Sequence, residues 1–231
     1  MGGGTARMSR DSRAHRDWIA LLDYATRELD ANMGVRMAPR MMAPTRDTSG
    51  TLTTVTDASG EDGFGGYAFS ADHPGVVFMM SAMWSPRSMA ALRASASVPE
   101  AELRRKASTK AAEYLSMPAA ELFAHVVMVA AVARTVTVDR VYAVGDCGPA
   151  VAAMDAAYSP NTQIRSLLAQ ASEAAPEWVG VKIPRTANLD ADRLSHPTMF
   201  PAVQAAARLA GLHVCEVFPS EEDWGALHEA V

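Results

Sequence analysis

Only two cysteines, Cys147 and Cys215, occur among 231 residues. That is too few for a disulfide framework or for a zinc site built mainly on thiolates, and it makes a reducing compartment the default. Positive charge is also in short supply: 21 Lys and Arg stand against 26 Asp and Glu, for a formal net charge of −5. A general polyanion binder carries a basic surface, so that class is set aside, while local basic patches stay open. The longest nearly apolar run, "AAELFAHVVMVAAVA" from Ala119 to Ala133, is shorter than the roughly 20 residues a membrane span needs and is interrupted by Glu121 and His125. The opening "MGGGTARMSR" lacks the apolar core of a signal peptide. There is no Gly-rich phosphate loop of the GxxxxGK type and no serine nucleophile elbow. An intracellular protein, cytoplasmic or nuclear and without a membrane partner, is the expectation.

What is present is apolar residue in quantity, 49% of the chain, enough for a sizeable core. Residues 1–49 read as a disordered start followed by a helical connection segment. In that segment Trp18, Leu21, Leu22, Tyr24, Ala25 and Leu29 recur at roughly helical spacing before Gly34. The main domain is expected over 50–198. "TLTTVTD" is rich in Thr and Val and therefore strand-like; "GYAFS" and "GVVFMMSAMW" follow across turn residues, so three strands in an antiparallel meander are predicted. Residues 86–116 are charged and Ala-rich and read as an insertion or lid with one or two exposed helices. "MPAAELFAHVVMVAAVART" is a helix with Pro118 in its first turn, apolar almost all round and so buried. "RVYAVGD" and "EWVGVKI" are strands with helices between them. Residues 199–231 form a helix–strand–helix extension whose last helix is opened by Ser220. This order predicts an α/β layer on a mixed sheet.

Four acids fall at element boundaries. Asp57 ends the first strand, Glu121 is placed in the first turn of the buried helix, Asp146 ends the strand after it, and Asp192 opens a short helix after the last core strand. Singly, each has an ordinary explanation: a turn former, a helix-dipole partner, a cap, a solvated face. Catalytic groups of open α/β sheets gather at strand ends and helix starts, and four carboxylates brought together there would repel unless neutralised. Two divalent ions would supply that neutralisation, and hard oxygen ligands without His or Cys select Mg²⁺ or Mn²⁺.

The order "TDASGEDGFGGYAF … MPAAELFAHVVMVAAV … VYAVGDCGPAVAAM … WVGVKIPRTANLDADRLSH" resembles the ribonuclease H domain of retroelement reverse transcriptases, of the gypsy and DIRS types. "NLDADRLSH" is the most specific part of the match, against the family's N-x-x-A-D-x-L-S-R run. The resemblance covers about residues 50–196. It implies a ribonuclease H-like mixed five-stranded sheet flanked by helices, with Asp57, Glu121, Asp146 and Asp192 as catalytic, metal-binding acids for two Mg²⁺ or Mn²⁺ ions. It further implies hydrolysis of the RNA strand of an RNA–DNA hybrid, with a polymerase domain as a further partner. Cys147 stands where the family has Asn, which removes a polar contact beside the site. No polymerase motif is present, so a fragment of a larger polyprotein and a stand-alone or decayed copy both stay open.

For the substrate, Gly65 and Gly66 would let backbone approach the minor groove, and Asn188 and His196 flank the fourth acid. Arg104, Arg105, Lys106 and Lys110 offer phosphate contacts or simply a solvated helix face. His125, in the buried helix, reads as a core histidine. Two other readings remain: a catalytically inactive scaffold or binding module of the same fold, and an integrase-, transposase- or exonuclease-like enzyme acting on DNA.

Overall fold

A computed structural model describes residues 49–94, 116–159 and 161–229. The connection helix expected before residue 49 and the basic cluster at Arg104, Arg105, Lys106 and Lys110 lie outside the described residues.

Strands β1 (Thr51–Ala58), β2 (Gly63–Ser70) and β3 (Val76–Met83) form the antiparallel meander. Helix α1 (Pro86–Ala94) follows, then α2 (Met117–Ala133), β4 (Arg140–Gly145), α3 (Gly148–Ala156), α4 (Thr162–Ala174) and β5 (Glu177–Lys182). Helix α5 (Leu189–Leu194), α6 (Phe200–Leu209), β6 (His213–Glu216) and α7 (Glu221–Glu229) complete the order. The sheet runs β5-β4-β1-β2-β3-β6. β4 is parallel to β1 and to β5, and β6 is parallel to β3. The mixed, helix-flanked sheet is therefore as expected, with six strands in place of five. The extra strand comes from the C-terminal helix–strand–helix, which adds to the free edge of β3.

Both faces of the sheet are covered, and strict alternation along each strand makes this possible. Leu52, Phe64, Ala68, Phe78, Met80, Val141 and Ala143 point into the main core with α2 and α4. Their neighbours Val55, Val144, Val77 and Met79 point to the other face, under Ala191 and Leu194 of α5 and Val203 and Ala207 of α6. A tight aromatic group of Phe64, Trp84, Phe123 and Trp224 ties β2, α2 and α7 together, with Phe64 and Trp84 ring centres 4.6 Å apart.

Two expectations need correction. The first nine residues of the supposed exposed insertion form α1, one face of which is packed: Leu92 and Ala91 are in the main core, while Arg87, Ala90 and Arg93 are exposed. Helix α2 begins at Met117, so Glu121 is its fifth residue and lies past the first turn, beyond direct reach of the free N–H groups at the helix start.

Candidate metal centre

Register and connectivity bring the acids to one edge of the sheet. β1 and β4 are parallel with Val55 opposite Val144. Asp57 and Asp146 each lie two residues further on, so they emerge at the same level. Helix α2 leads into β4 and must run against it, which returns its N-terminal half to the edge where β1 and β4 end. α5 starts a few residues beyond the end of β5, which is parallel to β4 and ends at the same edge.

Ligand oxygens of Asp57, Glu121 and Asp146 lie within 4.8 Å of one another. Asp57 and Glu121 are buried, at 8% and 6% exposure, and Asp146 is half-buried. Burial, then the charges of Asp57 and Asp146, push the Glu121 carboxyl up to about 9; a hydrogen bond from the Ala58 backbone and the charge of Arg185 act the other way. Asp57 is also raised, first by burial; Ser195 lowers it, Asp146 and Asp192 raise it further, and Arg185 lowers it. A proton on Glu121 thus spares the metal-free protein a buried charge and, after that, repulsion from Asp57 and Asp146. A dication would relieve that repulsion better, and the donor set, all carboxylate oxygen, suits a hard ion. The residues present therefore fit a divalent metal.

Asp192 lies at the rim. It is outside the close triad but acts on Asp57 through its charge, and it pairs with Arg185 at 3.6 Å. Asn188 is buried and donates from Nδ2 to the Thr56 carbonyl and to Asp57 Oδ1, both at 3.3 Å. It orients the carboxylate from the α5 side. His196 Nδ1 meets Asp62 Oδ2 at 2.6 Å, joining the start of the 3-10 turn Pro197–Met199 to the β1–β2 turn. Gly65 faces Asp57 across the β1–β2 ladder. A Cβ there would stand 2.1 Å from the Leu194 carbonyl oxygen, and one on Gly66 would stand 2.3 Å from that of Val55. The space beside both glycines is taken up by the protein's own backbone.

Several contributors were missed in the sequence. Ser195, fully buried, donates to the Asp192 carbonyl at 2.8 Å and lies close enough to favour ionised Asp57. It stands three residues after Asp192 in the same motif, and that spacing was the available signal. Arg185 flanks the acids through Asp192; Lys182 lies over Gly148 and bears on Cys147. Burial pushes the Cys147 thiol up, with Glu121 and Asp146 adding to it, so the thiol is neutral near neutral pH. His125, one turn after Glu121, shares a 2.9 Å hydrogen bond through Nδ1 with the Thr54 hydroxyl and is depressed to about 3 by burial, as expected of a core histidine.

The fold and site together define a mixed-sheet α/β protein with a carboxylate triad built from the ends of β1 and β4 and from α2. No family model and no curated relative matches the chain. Among solved structures, it is similar to the N-terminal RNase H domain of a Mycobacterium tuberculosis protein, solved as a fusion with maltose-binding protein. That match has 17% identity and a TM-score of 0.41, covering 70% of this chain and 99% of that one. An RNase H from the halophilic archaeon Halobacterium salinarum matches with 16% identity and a TM-score of 0.39, over 62% of this chain and 92% of its own. Among the described residues, no helix is long and apolar enough to cross a membrane.

Proposed function

We propose that this chain is a metal-dependent endonuclease that hydrolyses the RNA strand of RNA–DNA hybrids, and that it derives from, or forms part of, a retroelement reverse transcriptase. The observation that carries the reading is the convergence of Asp57, Glu121 and Asp146, from three separate elements, to within 4.8 Å. Like charges buried together are costly unless a cation joins them. The sequence resemblance supplies the hybrid substrate and the retroelement origin.

In this reading Asp57, Glu121 and Asp146 would hold one Mg²⁺ or Mn²⁺ ion, and Asp57 with Asp192 would hold a second. When bound, such ions supply activation of water and stabilisation of the leaving 3′ oxygen. The chain's own part is positioning. Asn188 fixes one oxygen of Asp57. The Ala58 N–H favours ionised Glu121. The neutral His125 braces α2 against β1 through Thr54. Cleavage would leave a 3′ hydroxyl and a 5′ phosphate, and recognition would rest on hybrid shape and 2′-hydroxyls rather than sequence.

The test is incubation of the purified protein with an end-labelled RNA–DNA hybrid and Mg²⁺ or Mn²⁺, beside duplex DNA and single strands. Cleavage confined to the RNA of the hybrid, lost in Asp57→Asn and Asp146→Asn, is the expected outcome. Cleavage of duplex DNA instead would assign the site to the integrase- or exonuclease-like class. One observation favours a second reading: Asp192 lies outside the close triad and is paired with Arg185. An inactive scaffold of this fold would bind hybrid without metal-dependent cleavage.

A further inference from the structure

We propose that Arg185 is a counter-cation built into the acid site: it competes with dications for the carboxylates and, once displaced, takes a phosphate of the nucleic-acid backbone. This rests on the nuclease reading above and adds how that site is held before metal and substrate arrive.

Arg185 opens the 3-10 turn Arg185–Ala187 between β5 and α5. Its Nη2 lies 3.6 Å from Asp192 Oδ1, and the side chain is 83% exposed. Asp192 lies on α5, whose N-cap residue Asn188 donates to Asp57 Oδ1 at 3.3 Å, so the paired guanidinium stands beside the triad as well as at its rim. The nearby cations are placed differently. Arg193 is tied to Asp190 at 3.0 Å, and Lys182 lies over Gly148 at the start of α3. A guanidinium does not deprotonate in the working pH range. Repulsion from an incoming dication is therefore relieved by movement of the side chain and not by loss of a proton. An exposed, long side chain in a loose pair moves at little cost. Swung outward, its planar fork suits two oxygens of one phosphate.

Two measurements on the full chain separate the halves of the proposal. The first is calorimetric titration with Mn²⁺ at low salt. Arg185→Gln should bind the ion about two- to fivefold tighter than wild type, the range an exposed charge pair permits. Arg185→Lys, which keeps the charge, should stay within about twofold of wild type. The second is anisotropy of a labelled hybrid with Ca²⁺ in place of Mg²⁺. Arg185→Gln should bind about three- to tenfold more weakly, with the slope of log affinity against log salt flatter by about 1. Equal or weaker Mn²⁺ binding by Arg185→Gln would overturn the competition. An unchanged hybrid affinity and salt slope would overturn the phosphate contact. Both results leave the metal site standing, whereas absence of Mn²⁺ binding by wild type and Arg185→Gln alike removes the nuclease reading and this inference with it.

Discussion

At the scale of single residues, Glu121 is the most strained group of the site. Its carboxyl stays protonated up to about pH 9 in the metal-free protein, while the unfolded chain releases that proton near its ordinary value of 4.5. The native state then binds more protons than the unfolded one. This contribution to stability is complete below about pH 4.5, falls as pH rises, and is gone above about 9. Glu121→Gln mimics the neutral form and escapes the loss. In EDTA its stability by urea unfolding should overtake that of wild type as pH rises towards 9, the gap growing by about 1.4 kcal/mol per pH unit at most. Mn²⁺ binding should be lost in the same variant. His125 behaves oppositely: its stabilising contribution is complete above about pH 6.5 and is lost as pH falls towards 3. Its ring signals in NMR should therefore stay constant between pH 8 and 4. Asn188→Ala removes the donor to Asp57 and to the Thr56 carbonyl and should cost about 1–3 kcal/mol by denaturant unfolding. Asp57 and Asp146 stood out in the sequence because an acid at a strand end is unexpected. Arg185 and Ser195 did not, since an Arg in a loop and a Ser near a helix end have common bland roles.

At the scale of elements, the close seat of α5 on β2 depends on Gly65. Gly65→Ala would push a methyl against the Leu194 and Met80 carbonyl oxygens, at 2.1 and 2.7 Å. Backbone on both sides has nowhere to go, so a cost of about 1–3 kcal/mol or more is expected in denaturant unfolding. Because α5 carries Asp192 and Asn188 follows the turn before it, activity should fall further than stability alone explains. The helices and strands themselves were legible, because their periods of 3.6 and 2 survive in the apolar pattern. α2 could be read as buried from its uniform apolarity, and 13 of its residues are. The packing of α1 was not legible. α1 packs against elements far away in sequence, above all α7, and a mixed charged and alanine composition fits an exposed helix equally well.

At the scale of the whole molecule, the C-terminal helix–strand–helix is part of the core. Trp224 of α7 meets Phe64 edge-on at 5.5 Å and lies tilted at 5.7 Å against Phe123, which follows Glu121 by two residues on α2. Trp224→Ala should cost about 3 kcal/mol, the low end for such a truncation because the ring is only half-buried, and should loosen metal binding through α2. Thermal unfolding with and without Mn²⁺ measures both effects. By itself the sequence determined the element order, the α/β class and the acids at element boundaries, because these follow from local period, turn chemistry and the cost of misplaced charge. Only the tertiary structure decided that β6 lies beside β3, that Asp57, Glu121 and Asp146 converge to within 4.8 Å while Asp192 stays outside that triad, and that Arg185 pairs with Asp192. Strand partners and charge separations are set by long-range pairing and packing, and many pairings satisfy the same local pattern.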